Sequence, residues 1–144
     1  METSIIEQFN QTKYHLLLWL TIGWTLWFGH FILNHLLAAK MIINIISWLG
    51  LLGWIIFSIN LVKYFQLRKD IKADRKLNEA LNDELHSLFR YKSYLCGFWV
   101  LMALNVIFFG ISSFYNISAL IVTETTLYLG VLSVLLAGLI YNRE

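Results

Sequence analysis

The sequence predicts an all-α integral membrane protein: four transmembrane helices, arranged as two hairpins and joined by a charged, helical connector on the cytoplasmic side. Three observations carry the prediction. Four apolar runs, 14–39, 41–64, 94–115 and 117–141, each meet or exceed the roughly 20 apolar residues that cross a ~30 Å hydrocarbon core. Apolar residues make up 58% of the chain and charged residues only 14%, where soluble domains carry about a quarter charged. The charges that remain are concentrated between positions 68 and 92.

The N-terminal tail, 1–13, carries Glu2 and Glu7 ahead of Lys13. That is the wrong charge for a secretory signal, Leu37-Ala38-Ala39 is a poor cleavage site, and the apolar run is too long, so the first span is expected to be retained. The first hairpin occupies 14–64, with Lys13 and Lys63 as snorkelling anchors at its two inner ends.

The connector, 65–92, holds Arg68, Lys69, Lys72, Arg75, Lys76, Arg90 and Lys92 against five acids, whereas each other connection or tail holds at most two basic residues. Loops rich in Lys and Arg stay on the cytoplasmic side and acids count for little. Both termini are therefore expected inside, in an inner or plasma membrane of bacterial type. Leu67, Ile71, Leu77, Leu81, Leu85, Leu88 and Phe89 recur near a period of 3.6, which predicts a helical connector with one apolar face. Asn82 or Asp83 could cap a new helix there, so the flanking spans are expected to run on into the connector. The exposed cations Arg68, Lys69, Lys72, Arg75, Lys76 and Arg90 form a candidate docking surface for a partner or for anionic lipid. The near balance of acids and bases equally suits a connector that packs on itself or on a second copy.

The second hairpin, 93–141, repeats features of the first at an offset of 80: Tyr14 and Trp19 correspond to Tyr94 and Trp99, and Trp48-Leu49-Gly50 to Tyr128-Leu129-Gly130. With both termini and the connector on one side, such a duplication is a parallel repeat about an axis along the membrane normal. The plainer explanation is that aromatic residues gather at interfaces and glycine recurs in membrane helices. A short tail, 142–144, closes the chain. No proline interrupts any span, whereas transporters commonly break helices to free backbone groups for a site.

Polar residues within spans are the natural candidates for a site, because burying them unpaired in hydrocarbon is costly. At helical spacing the first span aligns Gly23, Trp27, His30 and Asn34, and the second Asn44, Ser47, Trp54 and Ser58; these two faces are expected to meet. The third aligns Asn105, Ser112 and Asn116, and the fourth Thr123, Thr126, Gly130 and Ser133. Close helix packing is the default reading, since small residues let backbones approach and Asn hydrogen-bonds across helices. A polar path is the sharper one.

Catalytic and metal constellations are missing. The only acid near a span is Glu124, at the outer end of the fourth, so there is no carboxylate pair and no nucleophile with a base. Cys96 is the single cysteine, and no Cys/His cluster has zinc spacing. His30 and His35 lie five residues apart, about 140° round a helix, and the other spans hold no histidine, so a bis-histidine haem needs a second copy. The expectation is accordingly a non-enzymatic interaction or regulatory subunit without metal or cofactor. It lives in the bilayer, self-associates or binds a membrane or cytosolic protein, and has no nucleic-acid partner. The alternatives are an oligomeric channel or transporter, and a haem or quinone redox subunit suggested by Trp19, Trp24, Trp27, Trp48 and Trp54 with the histidines.

Overall fold

In the computed structural model, which describes residues 2–36, 40–73 and 84–141, every regular element is an α-helix. In chain order they are α1 (Glu2–Leu36), α2 (Lys40–Ala73), α3 (Glu84–Ser112) and α4 (Ala119–Tyr141). Each contains a stretch long and apolar enough to cross a membrane: Glu7–Asn34, Asn44–Ile71, Ser87–Ser112 and Ala119–Tyr141. The protein is thus a multi-pass helical membrane protein by the length and composition of its helices. The centre of the expected connector, 74–83, and the C-terminal tail, 142–144, lie outside the described residues, so Arg75 and Lys76 are not placed.

The helices are unbroken because the chain has no proline and their interiors are rich in Leu, Ile, Val and Phe, which satisfy all backbone groups internally, as hydrocarbon demands. Several hydroxyls and amides inside the spans turn back on their own helices. Thr21 and Thr25 donate to the Leu17 and Thr21 carbonyls at 2.8 Å, and Asn60, Asn105 and Thr123 donate to the carbonyl four residues earlier at the same distance. Self-satisfaction of this kind lets a polar side chain sit at depth without a tertiary partner.

α1 is the hub. It packs along α2 on one side and against α4 on the other, and α4 packs along α3, so that α2 and α3 stand at the edges of the array. Burial follows this order: Leu16, Leu17, Leu20, Thr21 and Trp24 of α1 are buried, with Ile46 of α2 and Ala137 of α4. The edge helices expose their aromatic and branched residues. Trp48 is 68% exposed on α2, and Val106 and Phe109 are 68% and 78% exposed on α3. Apolar surface on that scale on a monomer marks contact with membrane or protein.

Glycines set the α1–α2 seam. A Cβ on Gly53 would lie 2.5 Å from the Trp27 backbone nitrogen, and one on Gly23 would lie 2.7 Å from that of Phe57, so the backbones touch where no side chain intervenes. Trp24, Trp27, Phe28 and Phe57 pack around this contact, with Trp24 and Phe28 stacked at 4.2 Å between centroids. In the second pair, Gly97 receives Val134 and Gly130 receives Leu101. The +80 equivalents of Gly23–Phe57 and Gly53–Trp27 would be Ala103–Ala137 and Ser133–Ile107. The close approach is made instead by Gly97 with Gly130 and Val134, so the two pairs have different interhelical registers. The Trp24 indole Nε1 donates to the Tyr128 carbonyl at 3.2 Å, a hydrogen bond between the two pairs.

The α3–α4 turn is short. Phe114 and Tyr115 N–H groups both donate to the Ile111 carbonyl, at 3.0 and 2.9 Å, and the Val122 N–H donates to Ser118 at 3.2 Å to start α4.

Candidate functional site

The polar stripe expected within the spans is dispersed. On α1 the face bearing Gly23, Trp27 and His30 does turn toward α2, but it meets Gly50, Gly53 and Phe57. Asn44, Ser47 and Trp54 are exposed and Ser58 is half-buried, so the α2 stripe lies one residue, about 100°, round from the seam. The physical reason is that bare glycine backbone permits the closest approach, and closeness outweighs the pairing of polar groups that can bond to their own helix. On α3 and the turn beyond it, Asn105, Ser112 and Asn116 are all exposed. Asn105 and Ser112 donate to the Leu101 and Phe109 carbonyls, at 2.8 and 2.9 Å. They border a groove of about 480 Å³ that Met102, Phe108 and Val122 also line.

His30 is a packing residue in this arrangement. Its Nδ1 hydrogen-bonds to the Trp27 carbonyl, its ring lies 3.9 Å from that of Phe31, and it covers Gly50. Asn34 is half-buried with a buried Oδ1 that has no hydrogen-bond partner among the described residues. The side chain of His35 lies outside the described residues. Among the described residues, no group of three or more His, Cys, Asp or Glu side chains could hold a metal ion.

A more coherent arrangement lies at the opposite end, where the connector leaves α2 and returns as α3. Here all four helices contribute to one cavity of about 450 Å³. Lys13 of α1, Arg68 of α2 and Arg90 of α3 line it with Tyr64 and Tyr94, and Leu17, Leu61, Val131 and Val134 form apolar walls. The Lys13 ammonium lies in the fields of both Arg90 and Arg68. No Asp or Glu is among the described residues of the lining. Ser93 is buried at its wall, its hydroxyl donating to the Phe89 carbonyl at 2.9 Å, and Phe89 stacks on Tyr141 at 5.7 Å to hold the ends of α3 and α4 together.

Helical periodicity builds the site. Phe57, Leu61, Tyr64 and Arg68 follow one another at intervals of four, three and four on α2, and Arg90, Ser93 and Gly97 at three and four on α3. Each stripe is therefore one face: that of α2 is apolar at depth and ends in tyrosine and arginine, and that of α3 has small residues beneath Arg90. Of the cations singled out in the sequence, Arg68 and Arg90 join Lys13 here, whereas Lys69 and Lys63 are exposed outside the lining and the Lys72 side chain is not described. Reading Lys13 as an anchor and the arginines as a docking surface separated groups that the bundle brings together. The i, i+4 pairing of Tyr64 with Arg68 and of Arg90 with Tyr94 was the sequence signal for a shared face.

With three cations, two phenols and greasy walls, the cavity can hold an anion that carries an apolar body. A scan against protein families, a search of curated proteins and a search of solved structures each find no match to the chain.

Proposed function

We propose that the chain is a non-enzymatic subunit of an inner or plasma membrane, which acts by association and presents its charged connector to a protein partner on the cytoplasmic side. The excess of Lys and Arg between 68 and 92 supports that orientation, with both termini inside. The observation that carries the reading is the length of α2. It runs without interruption from Lys40 to Ala73, 34 residues, which is about 50 Å of helix and exceeds a ~30 Å core. Lys69 and Asp70 are thereby held exposed at the end of a rigid helix, and Lys72, Arg75 and Lys76 continue the same charged segment.

Self-association accompanies docking in this reading. Asn105 is exposed on α3 amid Met102, Val106 and Phe109, and an amide facing lipid gains by bonding to a neighbouring helix. The same exposed line of Asn105, Ser112 and Asn116 favours, as a second reading, an oligomer whose α3 faces border a polar path. We read the two hairpins as an ancient parallel duplication, supported by Tyr14/Tyr94, Trp19/Trp99 and Gly50/Gly130, whose interhelical registers have since diverged.

The test replaces Lys69, Lys72, Arg75 and Lys76 by Glu, sparing the cations of the cavity. Affinity capture from native membranes should then lose its co-purifying protein while membrane insertion and orientation, read with reporter fusions, stay intact. Undiminished recovery of the partner overturns the docking reading. Solute flux in liposomes from a species larger than a monomer would instead support the channel.

A further inference from the structure

We propose that the four-helix cavity at the connector end is a binding site for one anionic phospholipid, its phosphate held by Lys13, Arg68 and Arg90 and the start of its acyl region laid against Leu17, Leu61 and Val134. This goes beyond the docking reading, and its test varies residues that the docking test leaves untouched. Three cations from three helices face a common space that the described residues line without a carboxylate. Lys13 and Arg90 make further interactions of their own, so the inference rests on the placement of their charges.

Phosphate suits the donor set better than a carboxylate does. Two guanidinium groups offer planar bidentate hydrogen bonding and the ammonium a point charge, matching an anion with several equivalent oxygens. Tyr64 and Tyr94 add phenolic hydroxyls at the rim. Depth argues for lipid over a soluble anion. Arg68 lies three residues from the end of the span Asn44–Ile71 and Arg90 three from the start of Ser87–Ser112, which is headgroup level, while the walls below are apolar. A volume of about 450 Å³ falls within the roughly 300–1,000 Å³ of small-molecule sites. It takes a headgroup and the first part of its chains, leaving the remainder among the exposed side chains of the edge helices. Basic pockets between membrane helices are an established way to hold anionic headgroups.

The test is native mass spectrometry of the full chain in mild detergent, titrated separately with phosphatidylglycerol, with phosphatidylcholine of the same acyl chains, and with glycerol 1-phosphate. Wild type should retain one phosphatidylglycerol per chain, at least about tenfold more tightly than phosphatidylcholine. Arg68→Gln with Arg90→Gln should abolish that preference, Arg68→Lys with Arg90→Lys should keep a preference for the anionic lipid but weaken its retention, because charge remains while bidentate bonding is lost, and Lys69→Gln with Lys92→Gln, which removes equal charge outside the cavity, should leave it unchanged. If the double glutamine variant does not fold, Arg68→Gln alone carries the test, because Arg68 is exposed on one side. Equal retention of the two lipids overturns the proposal. So does equal loss in the Lys69/Lys92 control, which would mean general surface charge. Glycerol 1-phosphate competing as strongly as the lipid would reassign the site to a soluble anion and overturn the lipid assignment.

Discussion

Adding one methyl group at Gly53 should loosen the first helix pair, whereas adding one at Gly29 should not. In Gly53→Ala the new Cβ meets the Trp27 backbone nitrogen at 2.5 Å, the Leu26 Cβ at 2.6 Å and the Gly23 carbonyl oxygen at 2.9 Å. All three belong to the α1 main chain or its first side-chain carbon, so no rotamer change relieves them. Ordinary contact needs about 3.5–4.0 Å, and the helices must part by about 1 Å along a seam that includes Gly23–Phe57 and His30–Gly50. A gap of about that size forfeits a quarter to a half of each dispersion contact, and overpacking of this kind costs about 1–3 kcal/mol. At Gly29 and Gly110 a Cβ meets nothing within 4 Å, so alanine there should be neutral or stabilising by up to ~1 kcal/mol through helix propensity. The assay is unfolding in mixed micelles with increasing denaturing detergent, followed by tryptophan fluorescence, because Trp24 and Trp27 sit against Phe57 in this seam. Gly53→Ala matching wild type while Gly29→Ala loses stability would refute the assigned seam.

Trp24→Phe keeps an aromatic ring against Phe28 and Phe57 but removes the indole donor to Tyr128. It should cost about 0.6–2 kcal/mol, the range for interhelical hydrogen bonds in membranes, in the same unfolding assay; no loss would mean that α1 and α4 are held by packing alone. A topology reporter fused at position 80 should be active only in its cytoplasmic form, and an exterior signal would overturn the orientation drawn from the Lys and Arg between 68 and 92. Because His30 hydrogen-bonds to the carbonyl of its own helix at Trp27 and covers Gly50, His30→Leu should preserve assembly, with a stability change below about 1.5 kcal/mol as for shape-tolerant core swaps. Loss of a bound chromophore in that variant would instead restore a ligand role for the ring.

The legible part of this protein was its helices. Their number and membrane-spanning character follow from runs of more than 20 apolar residues without proline, since hydrocarbon leaves the backbone no alternative to self-satisfied helix. Which faces meet was not legible for α2. The line of Asn44, Ser47, Trp54 and Ser58 carries the obvious polarity, yet Gly50 and Gly53 form the seam, because in lipid polarity alone does not drive association and close approach does. Nor could linear order show that Lys13 stands with Arg68 and Arg90. Those positions are separated by 55 and 22 residues along the chain and become neighbours because α1 packs against both α2 and α4, and α4 in turn against α3. Composition and periodicity settle what each segment is, since they reflect the solvent it must enter; the grouping of side chains into a cavity is a property of how helices touch, through contacts such as those at the glycines and the Trp24 indole.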